Sequence, residues 1–181
     1  MAYKIKLNIT NENSIKNARQ KIQNLIRDFK SLPNDINSSV AKECESRLLS
    51  YHDEFTDTLG PDPYSHSVMT RVINTKESSK AIIYGEQVIY DEFGTGDVGA
   101  RSPHPEKGKY GLNDYSSGPY VSKHVDAEGH YWDFEGYTLR GVPAGKFMYR
   151  TITEMQSGDS KKIASKLISE RLKKNLGNEG D

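Results

Sequence analysis

Two stretches constrain this chain most, Gln87-Val-Ile-Tyr-Asp-Glu-Phe-Gly-Thr-Gly96 and Gly141-Val-Pro-Ala-Gly-Lys-Phe-Met-Tyr-Arg-Thr151. The first gathers Val88, Ile89, Tyr90 and Phe93 and then stops at Gly94, which marks a turn of the kind that often needs positive φ. Its residues fit a strand or one to two helical turns, and the helical turn is the preferred reading. The second sets Pro143 before a helix-periodic run, so a helix is predicted to open there and to carry Phe147, Met148, Thr151, Ile152 and Met155 until Gly158. Between them, Asp97 to Glu128 shows no periodicity and holds Pro103, Pro105, Pro119 and the scattered Tyr110, Tyr115 and Tyr120. A loop of that length in a compact domain is usually functional or disordered.

The remaining chain reads as scaffold. Tyr3, Ile5, Leu7 and Ile9 alternate with polar residues, which predicts a strand over 3–9. With Asn13 or Ser14 as cap, Ile15, Ala18, Ile22, Leu25, Ile26 and Phe29 follow helical spacing, and Leu32-Pro33 predicts its end. Asp35 then caps a second, long helix with the stripe Ile36, Val40, Cys44, Leu48, Phe55 and Leu59. Gly60-Pro61-Asp62-Pro63 is a rigid turn. Residues 68–74 and 80–84 read as a hairpin, and 130–139 as an aromatic hairpin turning at Glu135-Gly136. A last helix, capped by Asp159 or Ser160, carries Ile163, Leu167, Ile168, Leu172 and Leu176 and stops at Gly177, leaving a frayed tail over 177–181.

Composition limits the core. Apolar residues make up 34% of the 181 and mean hydropathy is -0.77. That is thin for the length and leaves surface to be buried against partners. The 25 basic and 25 acidic residues cancel, which argues against a general nucleic-acid coat. The lone Cys44 cannot form an internal disulfide and suits a reducing cytoplasm. No apolar run reaches the length of a membrane span, and Met1 to Thr10 lacks a signal-peptide pattern.

Catalytic signals are weak. Gly94-Thr-Gly-Asp-Val-Gly99 matches G-x-G-x-x-G, but Ser102-Pro103-His104-Pro105 follows where a dinucleotide site needs a helix. His124, Asp126 and His130 are close enough in sequence to be weighed as metal ligands. His52, His66 and His104 show no ligand spacing. Cys44 lies on an apolar helix stripe, as a small hydrophobe does. Asp91, Glu92 and Asp97 are candidates for an acid–base pair, with solvated or capping carboxylates as the plainer reading. Tyr131, Trp132, Phe134 and Tyr137 suit either a core hairpin or a protein–protein anchor. No catalytic, cofactor or metal residue is assigned.

Tyr90, Glu92, Phe93, Gly94 and Thr95, followed by Pro143, Ala144, Phe147 and Met148, resemble the siphophage morphogenesis family. Its members are described as tail components or head–tail joining (tail-completion) proteins. Members of that family usually place the Pro directly before the Phe; here Ala144-Gly145-Lys146 intervenes. The resemblance implies a non-enzymatic virion protein of the neck, made in the host bacterial cytoplasm, without cofactor or membrane. It further implies a homo-oligomeric ring, hexameric in such proteins, that touches other neck and tail proteins and passes DNA through its lumen without reading sequence. The expected fold is α+β: a small, mainly antiparallel sheet with two N-terminal and one or two C-terminal helices packed on it. One domain is expected over 1–176, with a long loop or arm at 97–128. The ring contact is expected at a sheet edge and the aromatic hairpin. Competing readings are a tail terminator or minor tail protein, and a small metal-dependent hydrolase using the loop His and Asp residues.

Overall fold

The computed structural model describes residues 5, 8–59, 66–106, 109, 131–134, 137–139 and 142–177. Most of the 97–128 segment, the turn at 60–63, most of the strand expected at 3–9, His124, Asp126, His130 and the terminal four residues lie outside them. So do the side chains of Asp97, Tyr131, Trp132, Phe134 and Tyr137.

The architecture is a helix-rich α+β fold. It opens with α1, one helix of 45 residues over Glu12–Thr56, where the sequence predicts two. Its cap is Asn11 rather than Asn13 or Ser14: the Asn11 side chain accepts the Ser14 N–H at 3.2 Å, the N-cap to N3 geometry. Pro33 lies inside the helix, although Pro removes a backbone donor and crowds the preceding turn. Tertiary contacts override that penalty. Arg171 reaches Asp35 on the C-terminal side of Pro33 at 2.5 Å and Asp28 on its N-terminal side at 3.8 Å. Asn175 donates to the same Asp28 carboxylate at 3.0 Å. Both flanks of the proline are thus tied to one later helix.

β1 (Met69–Asn74) and β2 (Ser79–Tyr84) form a two-stranded hairpin. Thr75 closes its turn: Ser78 N–H donates to Thr75 Oγ1 at 2.9 Å and Thr75 N–H donates to Ser78 O at 2.8 Å. β3 (Tyr131–Phe134) and β4 (Tyr137–Leu139) form the second hairpin, antiparallel, with Phe134 opposite Tyr137 and Tyr131 opposite Leu139. The register shifts between Tyr131 and Asp133, which places Trp132 at a bulge. The single mainly antiparallel sheet is therefore corrected to two separate hairpins among the described residues.

Gln87–Phe93 resolves to the helical turn, α2 (Val88–Phe93). The segment read as loop begins with a further short helix, α3 (Gly96–Arg101). The G-x-G-x-x-G match thus follows α2 and runs into α3, and it lacks the preceding strand that a dinucleotide fingerprint requires. Pro143 does not open a helix; α4 starts at Phe147 and runs to Glu154. A wide turn over Met155–Asp159, with Gly158 at φ 142°, leads into α5 (Ser160–Leu176). Gly177 ends α5 at φ 80°, a positive value that favours glycine, with its N–H bonded to Lys173 O at 3.0 Å.

Contacts gather into two compact units. The first holds Met1–Glu43, Val72–Lys80 and Met155–Asp181, the second Cys44–Arg71 and Ala81–Glu154. In the second, Leu48, Val88 and Phe147 are buried together, with Tyr51, Val68, Ala81, Ile83 and Met148 packed around them. In the first, Ala18, Leu32, Ala41 and Met155 are buried.

Candidate functional site

The two stretches that most constrain the sequence meet in space within the second unit. Three backbone bonds join them: Thr95 N–H to Val142 O at 2.9 Å, Gly145 N–H to Asp91 O at 2.7 Å, and Lys146 N–H to Glu92 O at 3.2 Å. Thr95 Oγ1 also accepts the Val142 N–H at 3.1 Å. The approach is close enough to exclude side chains at two glycines. A Cβ on Gly94, which sits at φ 76°, would lie 2.7 Å from Ala144 N. A Cβ on Gly145 would lie 2.8 Å from both Asp91 O and the Phe55 ring. The segment Ala144-Gly145-Lys146 between Pro143 and Phe147 is therefore the one that docks on α2.

Docking leaves α4 with an unusual N-terminus. Lys146, in the N-cap position at φ 59°, accepts the first helical bond from Arg150 N–H at 2.8 Å. Its side chain carries no acceptor for the exposed N–H groups of the first turn. Glu92 supplies it from a distant part of the chain. Its Oε2 accepts Met148 N–H at 2.8 Å and its Oε1 accepts Tyr149 N–H at 3.0 Å. A carboxylate at a helix N-terminus is also favoured by the helix dipole.

Histidines complete the arrangement. His104 Nε2 donates to Glu92 Oε1 at 2.9 Å, and its Nδ1 accepts the Glu106 N–H at 3.0 Å, which fixes the neutral Nε2–H tautomer. The ring packs against Phe93, centroids 4.4 Å apart, and edge-on to Tyr149 at 5.4 Å. Asp91 is held between two imidazoles: His66 Nδ1 at 2.7 Å from Oδ1 and His52 Nε2 at 3.3 Å from Oδ2. The His52 ring stands edge-on to Phe147 at 5.1 Å. Asp91 and Phe147 are 0% exposed, Glu92 1% and His52 2%.

Each oxygen of both carboxylates lies within hydrogen-bonding distance of a backbone N–H or an imidazole nitrogen, as buried carboxylates need to offset their desolvation. Among the described residues no group of three or more His, Cys, Asp or Glu is arranged to hold a metal ion. The reading of Asp91 and Glu92 as solvated charges is corrected: both are buried. The capping half of that reading holds for Glu92.

A second network stands at the C-terminal end of α4. Glu154 accepts from the Tyr51 hydroxyl and pairs with Arg47 at 2.9 Å and Arg150 at 3.3 Å. Arg150 also pairs with Glu54 at 2.9 Å and lies 3.7 Å over the Tyr51 ring. The Tyr51 hydrogen bond, with help from Arg150, holds the Glu154 carboxyl below its ordinary value of 4.5.

The sequence placed Tyr90, Glu92, Phe93, Gly94, Thr95, Pro143 and Phe147 in its motif, and the fold brings these two segments together. It missed His52, His66 and His104, which come from three separate segments and show no spacing signal. The available signal was two adjacent acids, Asp91-Glu92, inside an apolar run. No family model, curated protein or solved structure matches the chain.

Proposed function

We propose that this chain is a structural protein of a tailed-phage neck, joining tail to head as one subunit of a closed ring and acting by assembly without turnover. The observation that carries the reading is the mutual docking of the two stretches that bear the family resemblance. Asp91, Glu92 and Thr95 of the first hold Gly145, Lys146, α4 and Val142 of the second, so the two stretches act as one structural unit. Saturated carboxylates favour a scaffold role over acid–base work, for which a free oxygen facing substrate is needed. On this reading the ring, hexameric by resemblance, forms by heterologous contacts that close and leaves a lumen for DNA. The hairpin of β3 and β4, with Tyr131, Trp132, Phe134 and Tyr137, supplies part of the contact. Neighbouring neck and tail proteins are the other partners, and the virion is the destination.

Removal of the chain from the phage that encodes it tests this. Full heads and finished tails should then accumulate unjoined, and purified protein added to the lysate should join them. Joined, infective particles formed without it would overturn the reading. Tails of uncontrolled length would point to a terminator instead.

A further inference from the structure

The zero net charge of the chain conceals a division. The unit of Met1–Glu43, Val72–Lys80 and Met155–Asp181 carries 16 basic and 9 acidic residues, a net +7. The unit of Cys44–Arg71 and Ala81–Glu154 carries 9 basic and 16 acidic residues, a net -7. All five histidines fall in the acidic unit.

The basic unit also presents an uncovered apolar line. On the first half of α1, Ala18, Leu25 and Leu32 recur every seventh position and are buried or half-buried. The adjoining arc of the same helix carries Ile15, Ile22, Ile26 and Phe29, all exposed. Helical geometry sets Arg19 and Lys30 along the outer border of that arc, and both are exposed. Four large apolar side chains in one line, bordered by Arg19 and Lys30 and, at the start of the helix, by Glu12, have the anatomy of an interface. The acidic unit offers apolar and acidic residues to meet it: Ile89 is exposed on α2, with exposed Tyr84, which Arg71 overlies at 5.8 Å, and Glu86 shortly before it, and exposed Asp57 just past the end of α1.

We infer that the exposed strip of α1 is a self-association surface that docks on the acidic unit of a second copy of this chain. Two different patches of opposite sign make the contact head-to-tail, the type that closes into rings. Opposite potentials set its direction and disfavour like-to-like pairing. The inference rests on the oligomeric reading above and adds a second contact surface to the hairpin of β3 and β4.

Sedimentation of the full chain across protein concentration, at low and high salt, tests it with four variants. Self-association should weaken as salt rises. Arg19→Glu/Lys30→Glu and Asp57→Lys/Glu86→Lys should each associate at least about tenfold more weakly than wild type while keeping its circular dichroism. An equimolar mixture of the two should recover association, because every contact between unlike variants is again complementary. Ile22→Gln/Ile26→Gln should weaken association without altering charge. Lys161→Glu/Lys162→Glu, on the same unit but off the strip, should leave it near wild type.

Strip variants that associate like wild type would overturn the surface and leave the ring reading standing. A wild type that is monomeric throughout would overturn the inference and remove support from the ring reading as well. Failure of the mixture to recover would overturn the head-to-tail pairing. A monomeric wild type that binds duplex DNA or anionic vesicles through Arg19 and Lys30 would reassign the strip to those partners.

Discussion

Glu92 and Met148 are joined across 56 positions of sequence by a 2.8 Å hydrogen bond from the helix N–H to the carboxylate. Through that bond and its companion to Tyr149, a side chain on α2 starts a helix it does not belong to. Glu92 is therefore the cap of α4, whose first residue, Phe147, is fully buried.

Replacing Glu92 tests this role. Glu92→Ala leaves two helix N–H groups and His104 Nε2 without their acceptor, and should destabilise the protein by roughly 3–5 kcal/mol, the range for breaking a buried charged partnership. Glu92→Gln keeps one acceptor oxygen and should lose less. Chemical denaturation of the two variants against wild type checks the order. Equal stability of all three would show that α4 needs no cap.

Pro33 gives a test of the opposite sign. In one continuous α1, Pro33→Ala restores a backbone donor and removes the ring's clash, so the variant should gain roughly 1–3 kcal/mol. A loss of stability in a thermal or denaturant melt would argue for a break at Leu32-Pro33.

That break is where sequence reasoning failed most plainly. The propensity of Pro33 is local and visible; Arg171 and Asn175, which tie both its flanks, are more than a hundred positions away. The same asymmetry governs the site. Gly94 announces its turn because its φ of 76° favours glycine, and the periodicity of 160–176 announces α5. At Val88–Phe93 the bulky residues ending at a glycine announced the turn but fitted a strand as well as the helix that forms. The convergence of His52, His66 and His104 on Asp91 and Glu92 was not, because no periodicity links three histidines on separate segments. Nor does Pro143 reveal that it precedes a docking segment, since that role depends on Gly145 meeting Phe55 and Asp91 in space.

The Tyr51–Glu154 pair sets a pH dependence. The Glu154 carboxyl is held below 4.5, chiefly by the Tyr51 hydrogen bond. A carboxyl with a depressed folded-state value stabilises the fold above its unfolded value and loses that contribution as pH falls through the folded one. Stability measured from pH 6 downward should therefore fall below about 4.5. Tyr51→Phe should show a shallower acid limb. An identical acid limb in the variant would remove Glu154 from the account.

Trp132, at the bulge between β3 and β4, is the expected centre of a ring contact. Trp132→Ala should leave the subunit folded by circular dichroism and weaken each subunit contact by about 2 kcal/mol, roughly thirtyfold. Because the loss recurs at every contact of a closed ring, the variant should fail to enter particles. An unfolded variant would make Trp132 a core residue, and a folded variant that enters particles normally would place the contact elsewhere.

The most direct test of the proposed neck role is to look for this chain, by electron cryomicroscopy, in virions produced from the genome that carries its gene. The account predicts density for α1, α4 and α5 in a closed ring of copies at the joint between head and tail, around a lumen wide enough for duplex DNA. A virion that lacks the chain, or carries it only at the tail tip or along the tail tube, would contradict it.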